Sequence, residues 1–163
     1  MTISVGDRLP EATFMTMTDE GPKKITTSEV FAGQKVVLLA VPGAFTPTCH
    51  AKHLPGFIRQ AGAIRAKGVD RIACIAVNDV FVLGAWARQL GADAIQFLSD
   101  GRGEFTRAIG METDPPERSY SARSERYAMI VDDGKVTALF VEPKPGQAIE
   151  SSAENVLSAL ERR

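Results

Sequence analysis

Residues 35–57, KVVLLAVPGAFTPTCHAKHLPGF, join a buried strand to a helix that opens with a cysteine. Six consecutive apolar residues, 36–41, end at a Pro-Gly pair, which is typical of a strand covered on both faces of a sheet. After the loop, Thr46 is placed to cap a helix in which Pro47 takes the first position, where its missing N–H costs nothing. The stretch therefore predicts strand, loop and helix, with Cys49 in the first helical turn.

The predicted helix is amphipathic, so one face packs on the sheet. Pro55 within it predicts a kink, and Gly68 ends it. The apolar residues that recur at helical spacing are Leu54, Phe57, Ile58, Ala61 and Ile64.

Cys49 lies near unpaired N–H groups and the positive end of a helix dipole, both of which favour the thiolate, the nucleophilic form. The alternative is that Cys49 is a small buried hydrophobe, as most free cysteines are. Its place after the carboxyl end of a strand favours a site, because open α/β sheets bind their ligands there.

The rest of the chain alternates strand and helix patterns, which indicates an α/β sheet. The strands are expected at 12–16 and 24–26 in an N-terminal hairpin, at 72–77, at 95–98, and at 127–131 and 135–141 around an Asp-Asp-Gly turn. Further helices are expected from a capping box at Thr26 and Glu29, from Asn78-Asp79 to Leu90, through Phe105 and Ile109, and from Ser151 and Glu154 to the end of the chain. Residues 110–125 are predicted to form an exposed loop.

The composition and charge of the chain exclude some classes of function. A chain of 163 residues with 44% hydrophobic and 24% charged residues is expected to form one domain, residues 1–163. The net charge of −1 and the absence of a basic cluster argue against nucleic-acid binding. The sequence contains no signal-peptide pattern and no apolar run of membrane-spanning length, so the expected location is the cytoplasm. Two cysteines do not make a disulfide scaffold.

The loop before Cys49 resembles a motif of a known protein family. The residues from Pro42 to Cys49, PGAFTPTC, resemble the peroxidatic-cysteine motif PxxxTxxC of the peroxiredoxins, in the longer form of the peroxiredoxin-5 or plant type II subfamily. Other segments resemble that subfamily in order and spacing. They are Leu54-Pro55-Gly56-Phe57, Ala66-Lys67-Gly68-Val69-Asp70, Val77-Asn78-Asp79 with Phe81-Val82 and Ala85-Trp86, Arg123-Ser124-Glu125-Arg126-Tyr127 and Val141-Glu142-Pro143.

The resemblance implies a thioredoxin-like α/β fold with an N-terminal hairpin extension and a central mixed sheet flanked by helices. It also implies reduction of hydrogen peroxide and organic hydroperoxides through a sulfenic acid at Cys49, without a metal or organic cofactor. Glutathione with glutaredoxin, or thioredoxin, would be the reductant. The family forms homodimers, and we expect Phe45, Phe81 and Val82 at the interface.

The resemblance also assigns site residues. Thr46 would contact the peroxide, although its hydroxyl could serve only as a helix cap. Pro42 would shield the sulfur, although strand termination alone would explain a proline there. Arg126 matches the family's active-site arginine, and its guanidinium suits a fixed cation with several donors. Sequence periodicity does not separate Arg126 from Arg118 or from Arg123, which we expect to face solvent.

Cys74 lies in the middle of a predicted buried strand, which favours a structural thiol. It also matches the second cysteine of the plant type II proteins, whereas residues 148–152, where animal relatives carry the resolving cysteine, contain none. A disulfide between Cys49 and Cys74 would require local unfolding, because a helix-start sulfur and a mid-strand sulfur are not expected within bonding distance.

Other chemistries compete with the peroxidase prediction. Cys49, His50 and His53 form C-H-x-x-H, but three ligands on one helical turn do not easily converge on one metal ion. A Cys-His thiol hydrolase would need a third orienting residue, and none is evident. A redox-sensing or chaperone-like protein that signals through Cys49 oxidation is the remaining alternative. His50 stands where the subfamily more often has serine.

Overall fold

The computed structural model describes residues 2–114, 122–143 and 147–161. Its strands in that part of the chain are β1 (Thr13–Thr18), β2 (Gly21–Thr26), β3 (Lys35–Ala40), β4 (Arg71–Ala76), β5 (Gln96–Ser99), β6 (Glu112–Thr113), β7 (Arg123–Ser124), β8 (Tyr127–Asp132) and β9 (Lys135–Val141). Its α-helices there are α1 (Thr27–Phe31), α2 (Leu54–Ala66), α3 (Val80–Leu90), α4 (Glu104–Ala108) and α5 (Ala153–Glu161).

Seven strands form one mixed sheet in the order β2-β1-β5-β4-β3-β8-β9, as far as the described residues go. The three central strands β3, β4 and β5 run parallel, and β8 and β9 continue the sheet antiparallel on one side. The β1–β2 hairpin adds to the other side through β5. This topology confirms the predicted mixed α/β sheet with an N-terminal hairpin.

The strand β3 is buried on both faces, as its unbroken apolar run predicts. Val37 and Leu39 pack in one hydrophobic cluster with side chains of α2, α3 and α5, whereas Val36 and Leu38 pack in another cluster with α1 and α4. Because successive side chains of a strand point to opposite faces, helices cover both sides of this strand. The end of β3 is therefore held rigidly, and the functional loop leaves from it.

Most predicted boundaries are confirmed to within two residues. Thr26 and Glu29 form the predicted capping box of α1. Asp79 accepts a hydrogen bond from the backbone N–H of Val82 at the start of α3, and Gly91 ends that helix in the left-handed conformation at φ 65°. The N-terminal hairpin is longer than expected, because β1 reaches Thr18 and β2 begins at Gly21.

The helix after the functional loop differs from the prediction. It begins at Pro47 as expected, but residues Cys49–His53 form a π-helical turn before α2. The backbone N–H of Leu54 bonds to the carbonyl of Cys49, five residues earlier. Pro55 has no N–H to continue the ordinary ladder, so the predicted kink takes the form of a widened turn immediately before it.

Two further predictions differ from the structure, the cap of α5 and the loop before β8. Ser152, rather than Ser151, caps α5, because its Oγ accepts a bond from the N–H of Asn155 at 3.2 Å. The predicted loop 110–125 contains the short pair β6–β7, while residues 115–121, including Arg118, lie outside the described residues. In the part of the chain that the structure describes, no helix is long and apolar enough to cross a membrane.

Candidate active site

The loop between β3 and the helix that carries Cys49 is fixed by its own hydrogen bonds. The N–H of Ala44 donates to Oδ1 of Asn78 at 2.8 Å, and the Thr46 hydroxyl donates to the carbonyl of Gly43 at 2.7 Å. Phe45 adopts a left-handed φ of 64°, which costs a residue with a side chain roughly 1–2 kcal/mol. Strain of this kind is concentrated at functional sites.

Cys49 is fully buried, and its sulfur accepts a hydrogen bond from Nη2 of Arg126 at 3.1 Å. Arg126 is itself only 3% exposed. The sheet brings the two residues together, because Tyr127 in β8 pairs with Ala40 at the end of β3. A guanidinium held against a sulfur away from water interacts with it strongly, since little solvent screens the pair.

The other nitrogens of Arg126 differ in their contacts. Nη1 lies 3.0 Å from Nδ1 of His53. Nε is buried and has no hydrogen-bond partner among the described residues. A buried donor without a partner carries a free-energy penalty of about 1–3 kcal/mol. A ligand that supplied an acceptor would remove that penalty, so Nε is available to hold a ligand beside Cys49.

His53 links the arginine to the C-terminal part of the chain. Its ring is 1% exposed, and Nε2 lies 2.9 Å from the carbonyl of Ser151. Nε2 therefore carries the proton that donates to Ser151, and Nδ1 accepts from Arg126. Burial lowers the pKa of His53 to about 4, with the charge of Arg126 acting in the same direction, so the ring is neutral near pH 7.

Glu142 supports the segment that contacts His53. Its carboxylate accepts bonds from the N–H and Oγ of Ser151, at 2.8 and 2.7 Å, and from the N–H of Glu150 at 3.2 Å. Burial acts to raise the pKa of Glu142, but these hydrogen bonds outweigh it and hold the pKa below the ordinary value. Glu142 therefore remains a carboxylate near neutral pH.

His50 forms an aromatic cluster at the edge of the site. Its Nδ1 accepts a hydrogen bond from Nε1 of Trp86 at 2.9 Å. Its ring stacks with those of Phe45 and Trp86, at centroid distances of 6.1 and 6.5 Å, and the Phe45 and Trp86 centroids are 6.2 Å apart, so the three rings form a triangle. The histidine that departs from the subfamily pattern thus connects the π-helical turn to α3.

Cys74 is fully buried in β4, and both cysteines are free thiols. Burial raises the pKa of the Cys74 thiol far above its ordinary value, and the proximity of Cys49 raises it further. In the folded structure Cys74 is therefore a protonated and weakly nucleophilic thiol.

The expected solvent exposure of Arg123 is wrong. The residue is half-buried, and its guanidinium lies against the functional loop, so closely that a Cβ added at Gly43 would collide with it. The short β6–β7 pair holds Arg123 there, through its pairing with Thr113. A substitution of Arg123 would therefore disturb the functional loop and could not serve as a control for a substitution of Arg126.

The two histidines after Cys49 already have protein partners, Trp86 for His50, and Arg126 and Ser151 for His53. Within residues 2–114, 122–143 and 147–161, no group of three or more His, Cys, Asp or Glu side chains is arranged to hold a metal ion. The hydrogen-bond partner of the Cys49 sulfur is an arginine, rather than the histidine that a thiol hydrolase uses.

Comparisons with known proteins agree with this geometry. The family model described as Redoxin matches residues 4–157. Peroxiredoxin-2E-2, chloroplastic, of Oryza sativa subsp. japonica is 52% identical over 165 residues, which cover 98% of this chain and 73% of that protein. Peroxiredoxin-2E, chloroplastic, of Arabidopsis thaliana is 49% identical, over 98% of this chain and 70% of that protein. This chain belongs to the peroxiredoxin family.

Solved structures place it in the same family. The crystal structure of reduced Prx3 in complex with H₂O₂ from Vibrio vulnificus matches with a TM-score of 0.92 and 49% identity, over 98% of this chain and 99% of that one. The thioredoxin-like peroxiredoxin fold and the resemblance to the plant type II subfamily are thus confirmed. This peroxiredoxin is a thiol-dependent peroxidase, an oxidoreductase of the antioxidant class.

Of the residues assigned from the sequence, the structure brings Cys49 and Arg126 into contact and places Thr46 in the loop before Cys49, where its hydroxyl bonds to Gly43 rather than capping the helix as predicted. Pro42 is half-buried at the bend after β3, and Cys74 is buried in β4. Sequence reasoning missed the contact of His53 with Arg126 and considered the Cys-His cluster only as a metal site or as part of a thiol hydrolase. The position of His53 four residues after Cys49, close to one helical turn, was the available indication.

The low pKa of His53 predicts how stability depends on pH. The folded pKa of about 4 lies below the unfolded value of 6.5, so the unfolded chain binds the proton first as the pH falls. The contribution of neutral His53 to the free energy of unfolding is fully present above pH 6.5 and is lost as the pH falls through about 4. The total loss is about 3 kcal/mol.

Urea denaturation of the wild type and His53→Gln at pH 7 and pH 4 measures this loss. Glutamine can donate to Ser151 and accept from Arg126 without titrating, so the variant should lose less stability between the two pH values. Equal losses in the two proteins would contradict a buried neutral His53.

Proposed function

We propose that Cys49 is the peroxidatic residue and that its thiolate attacks the terminal oxygen of a hydroperoxide. The S–O bond forms as the O–O bond breaks, which leaves Cys49 as a sulfenic acid and releases water from hydrogen peroxide, or an alcohol from an organic hydroperoxide. The contact between Arg126 and the buried sulfur is the observation that carries this proposal. The Vibrio vulnificus relative, solved in complex with H₂O₂, supports the same substrate.

The surrounding groups can hold the peroxide at each oxygen. The unpartnered Nε of Arg126 is a donor beside the sulfur and can stabilise the negative charge that develops as the O–O bond breaks. The Thr46 hydroxyl donates its proton to Gly43, so its free lone pairs can accept the peroxide proton. The backbone N–H of Cys49, in the first helical turn, is a further donor. Pro42 closes the loop against water.

Recycling of the sulfenic acid requires a thiol. We expect glutathione with glutaredoxin, or thioredoxin, to supply it from outside, because Cys74 is buried in mid-strand and protonated. Since Cys49 is also fully buried, the π-helical turn must open before any second sulfur can reach it. Cys74 as the resolving thiol is the competing proposal.

We expect a homodimer that packs through the active-site end. Phe81 and Phe45 are 64% and 44% exposed, an unusual exposure for side chains of this size, and Val82 lies next to Phe81 on α3. A second copy of this chain would bury these apolar side chains. Sedimentation equilibrium measures the molecular mass in solution and so tests whether the dimer forms. The single domain and the cytoplasmic location expected from the sequence remain predictions.

The first test of the function is Cys49→Ser. The hydroxyl is similar in size but far less nucleophilic at neutral pH, so peroxide consumption with glutathione and glutaredoxin should be abolished while the fold is retained. Catalytic turnover of the wild type separates a peroxidase from a redox sensor, which would react only once. Appreciable turnover by the variant would refute the assignment of Cys49.

The second test concerns the guanidinium of Arg126. Arg126→Lys retains the charge but loses the planar set of donors, so the second-order rate with hydrogen peroxide should fall by about a hundredfold, equivalent to about 2.7 kcal/mol. Arg126→Met should fall further, because it also removes the charge, and the thiolate absorbance near 240 nm at pH 7 should decrease.

Arg88→Met is the matched control, since Arg88 is exposed on α3. It should react like the wild type. The role assigned to Arg126 would be wrong if its two variants kept the wild-type rate, or if Arg88→Met lost as much activity as they did.

The third test identifies the resolving thiol. After one equivalent of hydrogen peroxide and added glutathione, mass spectrometry should find Cys49 joined to glutathione and Cys74 unmodified. Cys74→Ser should keep turnover with glutaredoxin and lose some stability, because it places a hydroxyl in an apolar strand. A Cys49–Cys74 disulfide in the oxidised wild type, with loss of turnover in Cys74→Ser for every reductant, would establish Cys74 as the resolving thiol.

A further inference from the structure

We propose that Glu142 is a positioning residue for Arg126, acting through Ser151 and His53. The inference rests on the proposed function, because it concerns how the arginine of that site is held. Glu142 follows the last residue of β9 and touches neither Cys49 nor the guanidinium through any hydrogen bond of its side chain.

The first step is the anchoring of the segment before α5. Glu142 is 3% exposed, and the three bonds described above join its carboxylate to Glu150 and Ser151. Bonds to an ionised acceptor are among the stronger ones in proteins. They fix the backbone of Ser151, so its carbonyl has one defined position.

The second step is the choice of tautomer at His53. The fixed carbonyl of Ser151 is an acceptor 2.9 Å from Nε2, so this nitrogen must carry the ring proton. Nδ1 is then an acceptor, and it faces Nη1 of Arg126 at 3.0 Å. If the proton moved to Nδ1, two donors would face each other and the guanidinium would be displaced.

The third step is a second link between Glu142 and Arg126 through the main chain. The N–H of Glu142 donates to the carbonyl of Arg126 at 3.0 Å, next to the pairing of Tyr127 with Val141. Glu142 therefore fixes the backbone of Arg126 directly and the far side of its guanidinium through two intermediate residues.

The arrangement also explains why a neutral ring, rather than a carboxylate, holds the guanidinium. A carboxylate in direct contact would form an ion pair with Arg126 and compete with the Cys49 thiolate for its charge. A neutral imidazole orients the guanidinium and leaves its positive charge for the sulfur. Glu142 supplies the rigidity from a position beyond His53.

The test compares Glu142→Gln with the matched control Glu154→Gln, which makes the same change at an exposed glutamate in the first turn of α5. A glutamine amide would present a donor where three donors already converge, so the segment at Ser151 should detach. The second-order rate of Cys49 with hydrogen peroxide should fall about tenfold in Glu142→Gln and stay unchanged in Glu154→Gln. Ser151→Ala removes one of the three bonds and should show a smaller decrease.

A second readout does not require activity. The ¹⁵N chemical shifts of the His53 ring in the wild type should show a protonated Nε2 and an unprotonated Nδ1, and Glu142→Gln should show a mixture of tautomers. If Glu142→Gln fails to fold, the same comparison is made with Ser151→Ala.

Urea denaturation separates positioning from general stability. Variants that lose stability while the folded protein keeps both the wild-type rate and the single tautomer would overturn the proposal. A wild type with the expected His53 tautomer but no reaction at Cys49 would instead refute the proposed function.

Discussion

The hydrogen bond between Arg126 and the sulfur of Cys49 is the interaction on which the site depends. Both groups are removed from water, and a buried charge is costly unless a partner of opposite charge compensates it. The Cys49 sulfur gives the buried guanidinium a hydrogen-bond acceptor. The same burial strengthens their interaction, because little solvent screens it.

Two structural features set this contact, and neither works alone. The antiparallel register of β8 against β3 places Arg126 across from the end of the strand that leads to Cys49. The strained loop, tied to Asn78 and packed under Arg123, then turns the helix so that its first turn faces that position. A rigid sheet therefore fixes the cation, and a fixed loop brings the sulfur to it.

The π-helical turn is the local feature that orients the site residues after the loop. Its widened hydrogen-bond pattern places Cys49 and His53 on the same side, where both contact Arg126. Turns of this kind are less regular than α-helix and are found at functional sites. The turn is also held by its side chains, through His50 to Trp86 and through His53 to Ser151.

The sequence by itself determined the elements whose signals are local. The apolar run of β3, the capping box at Thr26, the Asp79 cap and the helix start at Pro47 follow from short patterns, and the motif around Cys49 identified the family. Arg126 came from resemblance, because no periodicity separates it from Arg123, whose half-buried position was not foreseen. Only the tertiary structure decided the network of Arg126, His53, Ser151 and Glu142. The bonds of Arg126 to His53 and to Cys49 join residues 73 and 77 positions apart, and the bond of His53 to Ser151 joins residues 98 apart. Such contacts depend on sheet register and helix packing rather than on any local pattern.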